Sequence, residues 1–489
     1  MPATPRARRQ ADPPSRSDAH LPRYEQIARR YAEAIDRGAF VPGERFPSVR
    51  RLASEEVASV TTILQAIGQL ELLGLLEARP RSGHFVRHRA RTPPPRPTAV
   101  PVHAAAAHVE VAELVARVYH AARDPSLVHL GHATPDPALL PTAALARATA
   151  AAARRSEGGV RYEMPPGLLG LRQAIARRAL SWGADLSPED LVVTSGATEA
   201  IHLCLLAVAK RGDAVAVESP TYYGTLQILE ALGLKVVEVP CHPDTGMELD
   251  ELERRIDRHG VRAVLAVPSF SNPLGSCMPD EAKARLVSIV ARRGIPLIED
   301  DVYGELAFGP IRPRVAKAHD RDGSVMLCGS LSKTLAPGYR VGFVAPGRWR
   351  ERVELLKFSM NVATPTLTQR AVARYLSGGG YDRHLRTMRE ALARIVARTA
   401  VSIAESFPAG TRISHPTGGC FLWVELPPQV DALELHARAL DAGVSIAPGP
   451  IFSPTQGHRS CIRIACGQPW SDRVDAAVRL VGRLAARMA

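Results

Sequence analysis

The spacing of hydrophobic positions changes character twice along the chain. After Leu21, the residues Tyr24, Ile27, Tyr31, Ala34 and Ile35 recur at helical spacing up to Gly38. The run Phe40-Val41-Pro42-Gly43-Glu44-Arg45-Phe46-Pro47-Ser48 predicts a turn into a second helix capped by Ser48, with Val49, Leu52 and Ala53 as its inner face. Ile63, Ala66, Ile67, Leu70 and Leu73 predict a third helix that ends near Gly74, and residues 75–86 predict two short strands around a basic tip. Three helices and a hairpin describe a winged helix-turn-helix over 21–88. Before it, residues 1–20 lack periodicity and read as a disordered basic leader. After it, 89–108 is Arg-, Pro- and Ala-rich and reads as a semi-extended linker that lets the two modules move. From Val109 the pattern alternates. Short apolar β-type runs at 192–194, 214–217, 236–239, 263–267, 296–298 and 325–328 are separated by longer amphipathic stretches. That alternation predicts an α/β domain over 109–489 with a mainly parallel sheet and functional residues at strand ends, including a smaller C-terminal subdomain from about 370 to 489.

Composition sharpens the first module more than the second. Residues 1–100 carry 17 Arg and 10 Asp or Glu, so this fifth of the chain holds +7 of the formal +13, which suits a polyanion partner. The seven Cys include no Cys-x-x-Cys pair, which argues against a disulfide framework or a zinc site. No apolar run is long enough to span a bilayer and no signal-peptide pattern opens the chain, so a cytoplasmic protein without a membrane partner is expected.

Only six of the 62 basic residues are Lys. A Lys kept in Ser330-Leu331-Ser332-Lys333 therefore suggests a need for a primary amine, which can lose its proton and condense with an aldehyde as Arg cannot. A lone Lys is ordinarily a surface residue, and the case for chemistry comes from its neighbours at strand ends. Ser195-Gly196-Ala197-Thr198 opens a helix whose N–H groups can hold a phosphate. Tyr222 follows the second run and can stack on a flat ring, while Asn272 follows the fourth. Asp300 and Tyr303 follow the fifth, and Lys333 follows the sixth with Arg340 seven residues beyond. Pyridoxal 5'-phosphate needs this combination: an amine for its aldehyde, donors and a cation for its phosphate, and a carboxylate for its ring nitrogen.

Two resemblances extend this reading. Pro42-Gly43-x-x-x-Pro47-Ser48-x-Arg50-x-Leu52-Ala53, with the later Gly74-Leu75-Leu76-x-x-x-Pro80-x-Ser82-Gly83-x-Phe85-Val86, resembles the DNA-binding domain of the GntR superfamily. It implies that Arg50, Thr61, Thr62 and Gln65 contact operator DNA and that Arg81, Ser82 and Gly83 form the wing tip. Many relatives carry an Arg where this chain has Val60. From Val109 onward the chain resembles fold-type I, class I aminotransferases. That resemblance implies Lys333 as the catalytic anchor, Asp300 as partner of the pyridinium, and Asn272 and Tyr303 on the ring hydroxyl. It also implies stacking by Tyr222, phosphate contacts from Ala197, Thr198, Ser330, Ser332 and Arg340, and Tyr162 reaching the cofactor of a neighbouring subunit in a homodimer. Arg463, in Cys461-Ile462-Arg463-Ile464, is implied as the group that grips a substrate carboxylate.

The two resemblances in this order match the MocR subfamily. They imply a regulator that binds operator DNA and senses pyridoxal phosphate or an amino acid or amine. The alternative is a working aminotransferase that carries a DNA-binding appendix.

Overall fold

A computed structural model describes residues 22–37, 39–40, 43–79, 82–86, 94–98, 105–109, 111–121, 124–154 and 159–489. The expected leader, the wing-tip residue Arg81 and much of the expected linker lie outside the described residues. The chain forms two compact units, 1–91 and 92–489.

The first unit contains helices α1 (Arg23–Asp36), α2 (Val49–Glu55) and α3 (Val60–Leu72), then strands β1 (Leu76–Arg79) and β2 (Gly83–Val86) paired antiparallel. Two serines start the second and third helices. Ser48 Oγ accepts from Arg51 N at 3.4 Å and Ser59 Oγ from Thr62 N at 3.1 Å, satisfying N–H groups that a helix start leaves without partners. Ile27, Phe46, Leu52, Ile63, Ile67, Leu70, Leu76 and Val86 make one buried cluster, so the helices and the wing share a core. Full burial of such a side chain contributes about 1.5–3 kcal/mol.

In the second unit the strands are β3 (Val128–His129), β4 (Val192–Thr194), β5 (Ala214–Ser219), β6 (Lys235–His242), β7 (Gly246–Met247), β8 (Ala263–Ala266), β9 (Leu297–Asp300), β10 (Val325–Ser330) and β11 (Gly342–Ala345). All but β3 form one sheet in the order β4-β11-β10-β9-β8-β5-β6-β7, with β6, β5, β8, β9 and β10 mutually parallel. The expected mainly parallel sheet is present, with β11 antiparallel to its neighbours and the two-residue β7 at its edge. Its central strands are buried on both faces, which is why they read as unbroken apolar runs. A smaller sheet follows from β12 (Arg412–Ile413), β13 (Phe421–Glu425), β14 (Val444–Ser445), β15 (Ala447–Pro448) and β16 (Cys461–Ala465). Its order is β12-β13-β16-β15, while β14 pairs with β3. Residues 128–129 are thereby tied to the C-terminal half of the unit.

The Pro-rich stretch departs from the tether expected over 89–108. Pro95 O accepts from Ile413 N at 2.9 Å, Thr98 N and Oγ1 donate to Glu425 at 2.6 and 2.7 Å, and Arg96 Nε lies 3.0 Å from Asp244 Oδ1. An extended Pro-rich backbone leaves its carbonyls free to accept, and the open edge of β12 supplies a donor. Further on, Ala107 exchanges both backbone hydrogen bonds with Val236.

Among the described residues, no helix is long and apolar enough to cross a membrane, and no cluster of three His, Cys, Asp or Glu could hold a metal ion.

Candidate functional site

Side chains from the carboxyl ends of β9 and β10 and from β16 come together at one site. Lys333 lies in the turn after β10 and donates from Nζ to Ala133 O at 2.7 Å, with Nζ 6.0 Å from the Tyr303 ring centre. Burial, together with the charges of Arg463 and Arg340, lowers its pKa. A neutral amine is correspondingly easier to reach near pH 7.

Opposite the amine stands acid with unused capacity. Asp300 ends β9 at 5 % exposure, and its Oδ1 has no hydrogen-bond partner. Burial and the neighbouring Asp301 raise its pKa to about 7. Glu218, on β5, is equally enclosed. Its Oε1 also lacks a partner, and burial with the Asp300 charge pushes it to about 8. Asp301 is held by an ion pair to the buried Arg312.

On the other side, Arg463 on β16 is fully buried, donating to Asn272 Oδ1 at 2.7 Å and to Gly131 O at 2.6 Å, while its Nε has no partner. Phe452, Tyr223 and Phe421 surround the guanidinium at 5.1, 5.8 and 5.9 Å from their ring centres. Asn272 Nδ2 donates in turn to Tyr303 OH at 3.3 Å, so Arg463, Asn272 and Tyr303 form a chain. Tyr222 sits half-buried at the start of the helix Tyr223–Ala231, its ring 4.6 Å from that of Tyr223.

A third corner gathers donors. Gly196 precedes the helix Ala197–Val208 at φ 89°, a conformation that favours glycine, and a Cβ there would fall 2.5 Å from Arg340 Nη2 and push the guanidinium aside. Arg340 itself is held at φ 50°, in the left-handed region, at a cost of roughly 1–3 kcal/mol. That turn aims its guanidinium at Ser195 O (2.7 Å) and Ser332 Oγ (3.3 Å), while Ser330 Oγ donates to Ser332 Oγ at 2.9 Å. The first-turn N–H groups of Ala197 and Thr198 complete a cradle suited to an anion.

Behind the cradle, Glu199 accepts from Ser195 N at 2.5 Å and meets Lys357 Nζ at 2.9 Å. Lys357, fully buried on the helix Arg350–Asn361, also donates to Asn361 Oδ1 and Thr364 Oγ1 at 2.8 and 3.0 Å. No motif signals this clamp, nor the carbonyls of Gly131 and Ala133. Tyr162 lies apart from the pocket, 77 % exposed, beside the exposed Val160 and Met164.

In the winged unit, Arg50, Thr61, Gln65, Ser82 and Gly83 are exposed, whereas Thr62 is half-buried with its hydroxyl 2.8 Å from Ser59 Oγ. One of the hydroxyls expected to read DNA, that of Thr62, is thus engaged in the helix cap.

Residues 129–480 match the family model "Aminotransferase class I and II", and residues 23–86 match "Bacterial regulatory proteins, gntR family". The chain belongs to both families, joined in the MocR-type order. This MocR-type chain is 38 % identical to the HTH-type transcriptional regulators YjiR and YdcR of Escherichia coli K12, over 94 % and 95 % of its length and 98 % and 99 % of theirs. Among solved structures it resembles α-aminoadipate aminotransferase LysN of Thermus thermophilus, complexed with N-(5'-phosphopyridoxyl)-L-leucine. The TM-score is 0.70 at 27 % identity, covering 78 % of this chain and 99 % of that one. The kynurenine aminotransferase of Pyrococcus horikoshii gives 0.71 at 26 %, covering 77 % and 94 %.

Proposed function

We propose that the chain is a DNA-binding transcriptional regulator whose second unit binds pyridoxal 5'-phosphate and senses an amino acid. The observation that carries the ligand reading is Arg463: a fully buried guanidinium held by two neutral acceptors, with one N–H unused, in the pocket that contains Lys333. Burying an uncompensated charge is costly, and a carboxylate ligand is the natural counter-ion.

The residues fit the cofactor. The bare Asp300 Oδ1 suits a protonated ring nitrogen, and the cradle of Ala197, Thr198, Ser330, Ser332 and Arg340 suits a phosphate, with a Cβ at Gly196 falling against the Arg340 guanidinium. When bound, pyridoxal phosphate supplies an aldehyde for the amine and a ring that withdraws electrons. Lys333, favoured as the neutral amine by burial and now held by Ala133 O, would be the group that meets that aldehyde. Asp300 would hold a proton at the ring nitrogen, Asn272 and Tyr303 would bond the ring hydroxyl, and Tyr222 would cover the ring. Arg463 orients the carboxylate of the incoming amino acid by exchanging Asn272 and Gly131 for it. Tyr162, exposed among apolar neighbours, serves the site of a second copy in a homodimer. Differential affinity of the ligand for two arrangements of the protein then shifts DNA binding.

The test is DNA affinity of the full chain with and without cofactor and amino acids, in wild type and Lys333→Ala. A ligand response that persists in Lys333→Ala counts against the proposal. The assembly of Lys333, Asp300, Asn272, Tyr303 and Arg463 in one pocket favours a second reading, a functioning aminotransferase; sustained turnover of an amino acid with a 2-oxo acid would establish it.

A further inference from the structure

The recognition face of α3 is unusual for a surface meant to meet a polyanion. Its inner side, Ile63, Ala66, Ile67 and Leu70, is buried in the core of the winged unit. Its outer side presents Val60, Thr61, Leu64 and Gln65, and the two aliphatic residues stand 52 % and 51 % exposed. They are one helical turn apart and so share a face. No Lys or Arg occurs anywhere in Val60–Leu72. The hydroxyls of Ser59 and Thr62 are turned to each other in the cap, 2.8 Å apart, which leaves two aliphatic side chains, the Thr61 side chain and one amide on the outer face.

In the major groove each base pair offers a distinct set of groups. Guanine is most often read by Arg or Lys on O6 and N7, adenine by Gln or Asn on N6 and N7, and thymine by apolar contact with its C5-methyl. The outer face of α3 lacks the first tool and holds the other two. We infer that α3 reads A·T pairs, with Val60 and Leu64 packed on thymine methyl groups and Gln65 on an adenine edge. Arg50, exposed near the start of α2, serves the phosphate backbone in this arrangement and adds affinity without choosing sequence. This deepens the DNA-binding reading and rests on it.

The experiment starts with the full chain and a pool of random-sequence duplexes. Enriched duplexes are then remade with deoxyuridine in place of thymidine, which removes only the methyl. At about 0.8 kcal/mol per buried carbon, each contacted methyl is worth roughly four-fold in affinity. Val60→Ala and Leu64→Ala, both on an exposed face, should each abolish the preference for thymidine over deoxyuridine at one position and keep the affinity for the all-uridine duplex. Positions whose preference changes in these variants should be A·T in the enriched set. Equal affinity for the thymidine and deoxyuridine duplexes, or G·C pairs at those positions, would overturn the inference while leaving DNA binding intact. A pool with no enrichment would instead take down the DNA-binding reading, and the inference with it.

Discussion

Lys357 and Arg463 are both fully buried in the second unit, yet they are accommodated in opposite ways. Lys357 meets the carboxylate of Glu199 and two further acceptors, so its charge is neutralised and its protons are used. Arg463 meets only an amide oxygen and a carbonyl, and keeps one N–H without a partner. A cation buried and paired is architecture: it pins the helix Arg350–Asn361 to the loop behind the anion cradle. A cation buried and unpaired is, in the proposed reading, a site, because an arriving anion would recover the cost of its desolvation. Asp300 is the mirror image, a buried carboxylate whose free oxygen awaits a cation.

The largest effect is expected where the paired cation is removed. Lys357→Met leaves Glu199 buried without its counter-ion and should cost about 3–5 kcal/mol in denaturant unfolding of the cofactor-free chain. Adding Glu199→Gln should recover much of that loss; no recovery would mean that packing, and not charge, holds the clamp.

Next comes the unpaired acid. The folded pKa of Asp300, about 7, lies above its ordinary value of 3.8. Below about pH 4 both folded and unfolded chains carry the proton and nothing is lost. As pH rises towards 7 the unfolded chain ionises first, so Asp300 progressively destabilises the cofactor-free fold, and the penalty is constant above 7. Asp300→Asn should therefore be more stable than wild type at pH 8 by about 2–4 kcal/mol and equal to it near pH 4, in paired denaturation curves. An unchanged difference across that range would contradict the role given to this carboxylate.

Removal of the unpaired cation should cost the fold less than removal of the paired one. Arg463→Met strips donors from Asn272 and Gly131 but also relieves an unpaired buried charge, so cofactor-free stability should change by less than about 2 kcal/mol. Smallest of all, Thr98→Val removes one hydrogen bond to the half-buried Glu425. Its loss of under about 1 kcal/mol should be visible only as faster hydrogen exchange at Ile413, whose N–H is held by Pro95.

The same contrast explains what could be read in the sequence. Lys333, Asp300, Asn272 and Arg340 were legible because polar residues that follow apolar runs fall at strand ends, where a parallel sheet opens. The carbonyls of Gly131 and Ala133 were not, since backbone atoms carry no residue signature. Tyr223, Phe421 and Phe452 around Arg463 resembled ordinary core, and Lys357 resembled any polar residue on an amphipathic helix. Docking of 94–98 on β12 escaped notice because a Pro-rich composition describes how extended a segment is, not what its carbonyls meet.

The central claim is that Arg463 waits for a carboxylate beside Lys333. Its most direct test follows the visible absorption of the cofactor-loaded full chain during titration with each common L-amino acid and with the amine that lacks only its carboxylate. At least one amino acid should perturb the spectrum at a concentration about a hundred-fold lower than its amine, as loss of a buried ion pair demands, and Arg463→Met should erase the difference. Amines that act as strongly as their amino acids on the wild-type protein would contradict the account.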